Sequence, residues 1–167
     1  MMQLQLGSLL PTHWPTVRAI YEQGIATGQA TFTTEAPSWD EWDRSHLAHS
    51  RLVAVSDAGL VVGWAALSPV SSRSVYAGVA EVSIYIAAEA RGRGVGRQLL
   101  AALAAESEAH GLWTLQAGIF SENQASVRLH EALGFRVVGR RERIGCLAGT
   151  WRDTLLLERR SQLVGVS

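Results

Sequence analysis

The sequence predicts one α/β (α+β) domain over residues 1–167, with helices packed on a mixed sheet. Three observations lead there. Apolar periodicity switches between strand and helix along the chain in the order β-α-α-β-β-β-α-β-α-β-β. The segments are joined with no internal repeat, low-complexity run or linker between them. A length of 167 residues and a hydrophobic content of 47% are enough for a single core without disulfide or metal staples.

The elements follow in order. LQLGSLL, close to the N-terminus, is short and reads as an edge strand. Trp14 to Gly24 reads as the first helix, with Val17, Ile20 and Tyr21 at helical spacing and Thr12 and Pro15 as opening residues. Residues 25–36, rich in Thr and containing Phe32, read as an irregular loop. Ser38 and Glu41 form a capping box that opens a second helix running to about His49. RLVAVSDAGLVVGWAALS reads as two strands turned by Asp57-Ala58-Gly59, and AGVAEVSIYIAA as a third, with β-branched and aromatic residues. Val95, Leu99, Leu100 and Leu103 mark an amphipathic helix, with Gly111 as its C-terminal cap. LWTLQAGIF is a strand, ENQASVRLHEAL a short helix stopped by Gly134, and FRVVGRRERIG and TWRDTLLLERR are the last two strands.

Composition excludes several classes of function. Fifteen basic residues balance fifteen acidic ones, so bulk charge argues against a nucleic-acid partner. No apolar run approaches the roughly 18 residues that cross a bilayer. The N-terminal MMQLQLGSLLPTHW has neither a basic n-region nor a long apolar h-region, and the expectation is a cytoplasmic protein. Cys146 is the single cysteine and reads as a packing residue or incidental thiol rather than a nucleophile. His46 and His49 have metal-compatible spacing, but no further ligand set accompanies them; they read as solvated helix polarity, and no metal is expected.

The chemistry concentrates in EARGRGVGRQLLAALAAE, with three glycines and three arginines within residues 91–97. A strand ending at Ile86, a glycine-rich turn and a helix opening near Gly94 form a site for an anion. Backbone N–H groups at a helix start lack internal partners, and the macrodipole adds partial positive charge. Arg91, Arg93 and Arg97 can add charge-assisted contacts. Two familiar phosphate loops fail. The P-loop needs a lysine that this stretch lacks, and Gly92-Arg93-Gly94-Val95-Gly96 is G-x-G-x-G rather than the G-x-G-x-x-G of dinucleotide binders. A purely structural glycine turn remains the alternative.

Arg91-Gly92-Arg93-Gly94-Val95-Gly96 resembles the [QR]-x-x-G-x-[GA] signature of the GNAT acetyltransferase superfamily, and ENQASVRLHEALGF resembles that superfamily's next helix with its closing Gly134-Phe135 pair. Further pieces resemble its phosphinothricin and methionine sulfoximine N-acetyltransferases: ATF at Ala30–Phe32, GWAALSP, Arg73, Tyr76, AEVSIYI, and a closing pattern at Gly145, Gly149, Trp151 and Asp153. The resemblance implies a GNAT-like, mostly antiparallel twisted sheet of about seven strands flanked by about four helices. It also implies acetyl-CoA as co-substrate, a small amino-acid-like substrate acetylated on its α-amino group, no nucleic-acid or membrane partner, and a homodimer.

Residue by residue, the resemblance makes Glu81 the general base, in a strand where a buried carboxylate needs work or partners; an exposed or ion-paired glutamate is the bland alternative. His130 falls where many relatives have Tyr, and takes an acid/base or positioning role against the alternative of a packed helix histidine. Cofactor contacts are implied for the main chain of Ile84, Tyr85 and Ile86, for the loop Arg91, Gly92, Arg93, Gly94, Val95, Gly96 and Arg97, and for Asn123 and Ser126. Asn123 has the alternative of a plain helix cap. Substrate contacts are implied for Phe32, Glu81 and the segment Arg73, Ser74, Val75 and Tyr76, with Arg73 binding the substrate's acid group against the alternative of a solvated surface charge. Trp64 is a further aromatic candidate for the pocket. Three departures from the pattern concern substrate choice. Val79 stands where a Thr is expected, and in the late turn 144–151, which completes the pocket of its own or a neighbouring subunit, Leu147 and Ala148 replace a Lys-aromatic pair, which predicts a roomier, more apolar pocket favouring sulfoximine, sulfone or apolar amino acids over phosphinothricin. Two other readings stand beside this one: acetylation of another amine or a peptide N-terminus, and a non-catalytic acyl-CoA-binding sensor.

Overall fold

The computed structural model describes residues 2–167. Its elements are β1 (Leu4–Ser8), α1 (Trp14–Ala26), α2 (Trp39–Ser45), β2 (Leu52–Ser56), β3 (Val61–Pro69), β4 (Val79–Ile86), α3 (Val95–Ala109), β5 (Thr114–Phe120), α4 (Gln124–Ala132), β6 (Arg136–Leu147) and β7 (Thr150–Arg160), with short 3-10 turns at Pro11–His13, Ser74–Tyr76 and Ala88–Ala90. Seven strands form one sheet in the order β1-β2-β3-β4-β5-β7-β6, and every neighbouring pair is antiparallel except β4 and β5. A parallel pair needs a crossover, and α3 supplies it.

That parallel pair is brief. Val79–Glu81 pair with Thr114–Gln116 and no further. Beyond Glu81, β4 stays with β3 through Ile86, and β5 stays with β7 through Phe120. Each strand keeps its outer neighbour and loses the inner one, so the sheet opens between them. The opening lies at the C-terminal ends of both strands. There α3 follows β4 and α4 follows β5, so both helix N-termini face one end of the molecule.

The core lies on both faces of the sheet. Consecutive residues of a strand point to opposite faces. Tyr85 packs on Tyr21 of α1, with ring centroids 4.7 Å apart. Ile86 lies on the other face, where its side chain and Leu99 of α3 both approach Gly63. α1 buries Val17 and Ile20, and α3 buries Leu99, Leu100 and Leu103, which is the periodicity visible in the sequence. Gly24 permits the close α1 contact, since a Cβ there would stand 2.6 Å from the Tyr85 ring. No helix among the described residues is long and apolar enough to cross a membrane.

Four expectations are corrected. α2 does not reach His49: the Ser38–Glu41 capping box forms, but the helix ends at Ser45. His46 is extended and stacks on Trp42 at 4.1 Å, and the Leu47 N–H pairs with the Leu67 carbonyl, so sheet contact wins over helix propagation. The two histidines therefore do not share a helix face; His49 stacks on His110 at 4.0 Å. Trp64 is fully buried beside Trp42 and Tyr85, a core residue rather than a pocket wall. Cys146 is exposed on β6, which leaves the incidental thiol and removes the packing role.

Candidate functional site

The loop after β4 is built to meet an anion. Gly92 and Gly94 have φ of +74° and +82°, conformations that glycine adopts without strain. Gly94 is the N-cap of α3, no side chain caps the helix, and its first turn holds no acidic residue. The terminal N–H groups and the positive end of the dipole are thus left free of protein partners. Gly96 lets α3 approach α4, because a Cβ there would lie 3.1 Å from Leu129. A cleft of about 490 Å³ opens against this terminus, lined by Arg91, Gly92, Gly94, Val95, Gly96 and Arg97 on one side and by Ile84–Ile86 on another. Arg93 is not on this lining; its side chain is exposed and its carbonyl accepts from the Met2 N–H. Arg91 also closes the strand end, its Nε donating to the Ile86 carbonyl at 3.3 Å.

The cleft continues into a second one of about 440 Å³, and the two share Ala30, Ile84, Tyr85, Asn123 and Ser126. The shared wall is the β4 segment that has no β5 partner. Its free peptide edge can pair with an extended, amide-bearing molecule as an added strand would. Burial pushes the Tyr85 phenol well up, so its side chain remains neutral within the aromatic cluster. Asn123 lies where the two clefts meet. Its Oδ1 accepts from the Ser126 N–H at 3.3 Å, which caps α4, and its Nδ2 donates to the Gln29 carbonyl at 3.2 Å.

The second cleft holds the titratable groups. Glu81 is half-buried on its wall, and Gln116, its partner across the β4–β5 pair, donates to Oε1 at 3.3 Å. His130 projects from α4 and is only 2% exposed. Its Nδ1 lies 2.7 Å from the Ser126 carbonyl, which can only accept, so Nδ1 carries the proton. Nε2 is buried without a partner among the described residues. Burial lowers the His130 pKa below 6.5, partly opposed by the bond to Ser126, and the ring stands neutral with Nε2 as a free acceptor. Phe135 packs edge-on against it at 5.0 Å. Phe32 closes the opposite wall, T-shaped on Phe120 at 4.8 Å and seated on the bare backbone of Gly145, where a Cβ would come within 2.6 Å of its ring.

The structure thus gathers Glu81, His130, Phe32, Ile84, Tyr85, Asn123 and Ser126 around one cleft. It leaves others outside. Arg73, Ser74, Val75 and Tyr76 form an exposed turn away from both linings, with the Arg73 guanidinium over the Tyr76 ring at 5.6 Å. Leu147 and Ala148 line a separate groove against Gly28–Thr34, so in this chain they do not shape the Glu81 cleft. Gln116, Gly118, Arg141 and Thr154 line or support the cleft and were not expected there. Gln116 left a faint signal as a polar residue within an apolar strand. Arg141 left none, since it stands in the run Arg140-Arg141-Glu142-Arg143. Among the described residues no cluster of three or more metal-binding side chains occurs.

Comparison with known proteins places this geometry. Residues 16–135 match the family described as Acetyltransferase (GNAT) family. The chain is 32% identical over 151 residues to an L-methionine sulfoximine/L-methionine sulfone acetyltransferase of Pseudomonas aeruginosa, covering 86% of this chain and 87% of that one. It is 36% identical over 156 residues to a phosphinothricin N-acetyltransferase of Alcaligenes faecalis, covering 87% and 76%. The crystal structure of a GNAT superfamily phosphinothricin acetyltransferase from Sinorhizobium meliloti in complex with AcCoA superimposes with a TM-score of 0.90 at 29% identity, over 99% of this chain and 92% of that one.

Proposed function

The chain belongs to the Acetyltransferase (GNAT) family and is an acetyl-CoA-dependent N-acetyltransferase, and from that premise we propose its substrate and mechanism. The acceptor is the α-amino group of a small amino-acid derivative of the methionine sulfoximine, methionine sulfone or phosphinothricin type. The amine attacks the thioester carbonyl directly, with Glu81 as general base, within one catalytic domain that spans the chain. The C–N bond forms as the C–S bond breaks, and the CoA thiolate leaves and takes up the proton that the new amide nitrogen sheds. The observation that carries this reading is the opening between β4 and β5. It joins an uncapped helix terminus to a cleft holding a carboxylate and a neutral imidazole.

Acetyl-CoA supplies an acyl group already activated as a thioester. The chain's residues do the rest. Backbone N–H groups between Gly92 and Arg97, with the Arg91 and Arg97 side chains, hold the pyrophosphate. The edge of Ile84–Ile86 that β5 leaves free, with the Ile86 carbonyl already accepting from Arg91, holds the pantetheine arm in line with the opening. The amino group enters as ammonium and must lose a proton before it can attack. Glu81 accepts that proton, directly or through water, while the Gln116 amide keeps its carboxylate oriented. His130 carries a lone pair on Nε2, which suits accepting or relaying a proton and does not suit donating one.

A CoA-release assay against methionine sulfone, methionine sulfoximine and phosphinothricin tests this reading. Amino-acid-dependent CoA release is expected. CoA binding without turnover on any amine would leave a sensor instead.

The chain forms a homodimer in this reading. β6 is an edge strand, and Ile144 and Trp151 on the last hairpin are 54% and 61% exposed, apolar area that suits a second copy. Sedimentation should give twice the mass of the 18.1 kDa chain, and a monomer at micromolar concentration would reject the dimer.

A further inference from the structure

We infer that Arg141 receives the α-carboxylate of the acceptor and so selects free amino acids over other amines. This rests on the amino-acid acetyltransferase reading and assigns a specificity-determining residue within its cleft. Arg141 is the cation among the residues that line the Glu81 cleft.

Register puts it on the correct face. Glu81 pairs with Gln116 across β4–β5. Phe120, four residues along β5, lies on the same face as Gln116 and pairs with Thr154 of β7, which pairs with Arg141 of β6. Glu81 and Arg141 therefore face one cleft from its two ends. Between their rungs lies Gly118, where a Cβ would meet nothing within 4 Å. The floor is open, and a compact zwitterion fits across it, with its ammonium toward Glu81 and its carboxylate toward Arg141. A guanidinium suits this task because its planar fork can bind a carboxylate bidentately.

The neighbouring arginines are occupied and Arg141 is not. Arg140 Nε donates to Asp153 at 2.8 Å, and Arg143 pairs with Glu142 at 3.5 Å. Arg152 is held by the Gly28 carbonyl at 2.9 Å and Glu122 at 3.0 Å, and lies over the Phe120 ring. The Arg141 guanidinium makes no hydrogen bond or ion pair among the described residues. Arg141 is exposed, but the backbone that carries it is held in place. The step from Arg141 to Gly145 on β6 faces the shorter step from Thr154 to Arg152 on β7, so the strand bulges just past Arg141. Asp153 ties that bulge by accepting the Arg143 N–H at 2.7 Å, and Phe32 packs on Gly145 at its far end.

The test compares wild type with Arg141→Ala, Arg141→Lys and Arg73→Ala, using methionine sulfone, whose only anionic group is the α-carboxylate, and its α-carboxamide. Arg141→Ala should raise KM for methionine sulfone about 10- to 100-fold, the effect of losing a charge-assisted pair. The KM for acetyl-CoA should not change, kcat should change little, and the carboxamide should lose nothing further. Arg141→Lys should recover part of the loss. Equal losses on acid and carboxamide overturn the inference, as does an unchanged KM, or a carboxylate-specific loss that follows Arg73→Ala instead. If wild type acetylates the carboxamide as well as the acid, carboxylate selection is overturned while the acetyltransferase reading stands. If wild type acetylates neither compound nor any amino acid, both fall.

Discussion

The two halves of the active cleft are built in opposite ways. The cofactor half is contiguous: strand end, two glycines with positive φ and the start of α3 lie within Ile84–Arg97, and what it offers is chiefly main-chain donors. The acceptor half is assembled from Phe32 in a loop, Glu81 on β4, Gly118 on β5, His130 on α4, Arg141 on β6 and Thr154 on β7. CoA is the same molecule whatever the acceptor, so a backbone cradle can serve unchanged. The acceptor varies, and side chains drawn from separate elements can be altered one at a time without disturbing that cradle.

If the halves are separable, substitutions should split acceptor chemistry from cofactor binding. The largest effect is expected from Glu81→Gln, which keeps the shape and removes the base. kcat/KM for the amino acid should fall about 10²- to 10⁴-fold, with acetyl-CoA affinity nearly intact by calorimetry. A comparable loss of acetyl-CoA binding would show that the halves are coupled.

Gly94→Val addresses the other half. A β-branched residue at a φ of +82° strains the N-cap of α3. The KM for acetyl-CoA should rise about tenfold or more, before the amino-acid KM moves. If the amino-acid KM rises first, the division fails.

The smallest effect is a pH dependence. Burial holds the folded pKa of His130 below 6.5, and the neutral ring with its free Nε2 is the form the cleft contains. kcat should fall as pH drops through that lowered value, and His130→Gln should remove this limb. Stability should follow the same sign. The unfolded chain binds the proton first, so the contribution of the buried neutral ring is complete above 6.5 and is lost as pH falls through the folded pKa. An acid limb that survives His130→Gln would assign it to another group.

Much of this was legible in the chain. The order of all seven strands and four helices follows from periodicity and turn residues, since those signals are local. The end of α2 was not legible, because the Leu47 N–H pairs with the Leu67 carbonyl of β3, a bond between segments far apart in sequence that no local pattern announces. Arg73 read as the substrate's anchor, yet it sits in an exposed turn over Tyr76. Leu147 and Ala148 read as walls of a pocket in this subunit or a neighbouring one, and within this chain they line a separate groove with the Gly28–Thr34 segment.

The sequence by itself determined the cofactor cradle, because glycines, a helix start and the strand before it are adjacent in the chain and act through backbone geometry. It also placed Glu81 and His130 on elements that reach the cleft. Only the tertiary structure decided which arginine faces the substrate. Arg140, Arg141 and Arg143 are chemically alike and nearly adjacent, and a strand changes face at every residue. The bulge at Arg141–Gly145, and the carboxylate of Asp153 that engages Arg140 and the Arg143 backbone, leave Arg141 without a partner among the described residues on the lining of the Glu81 cleft.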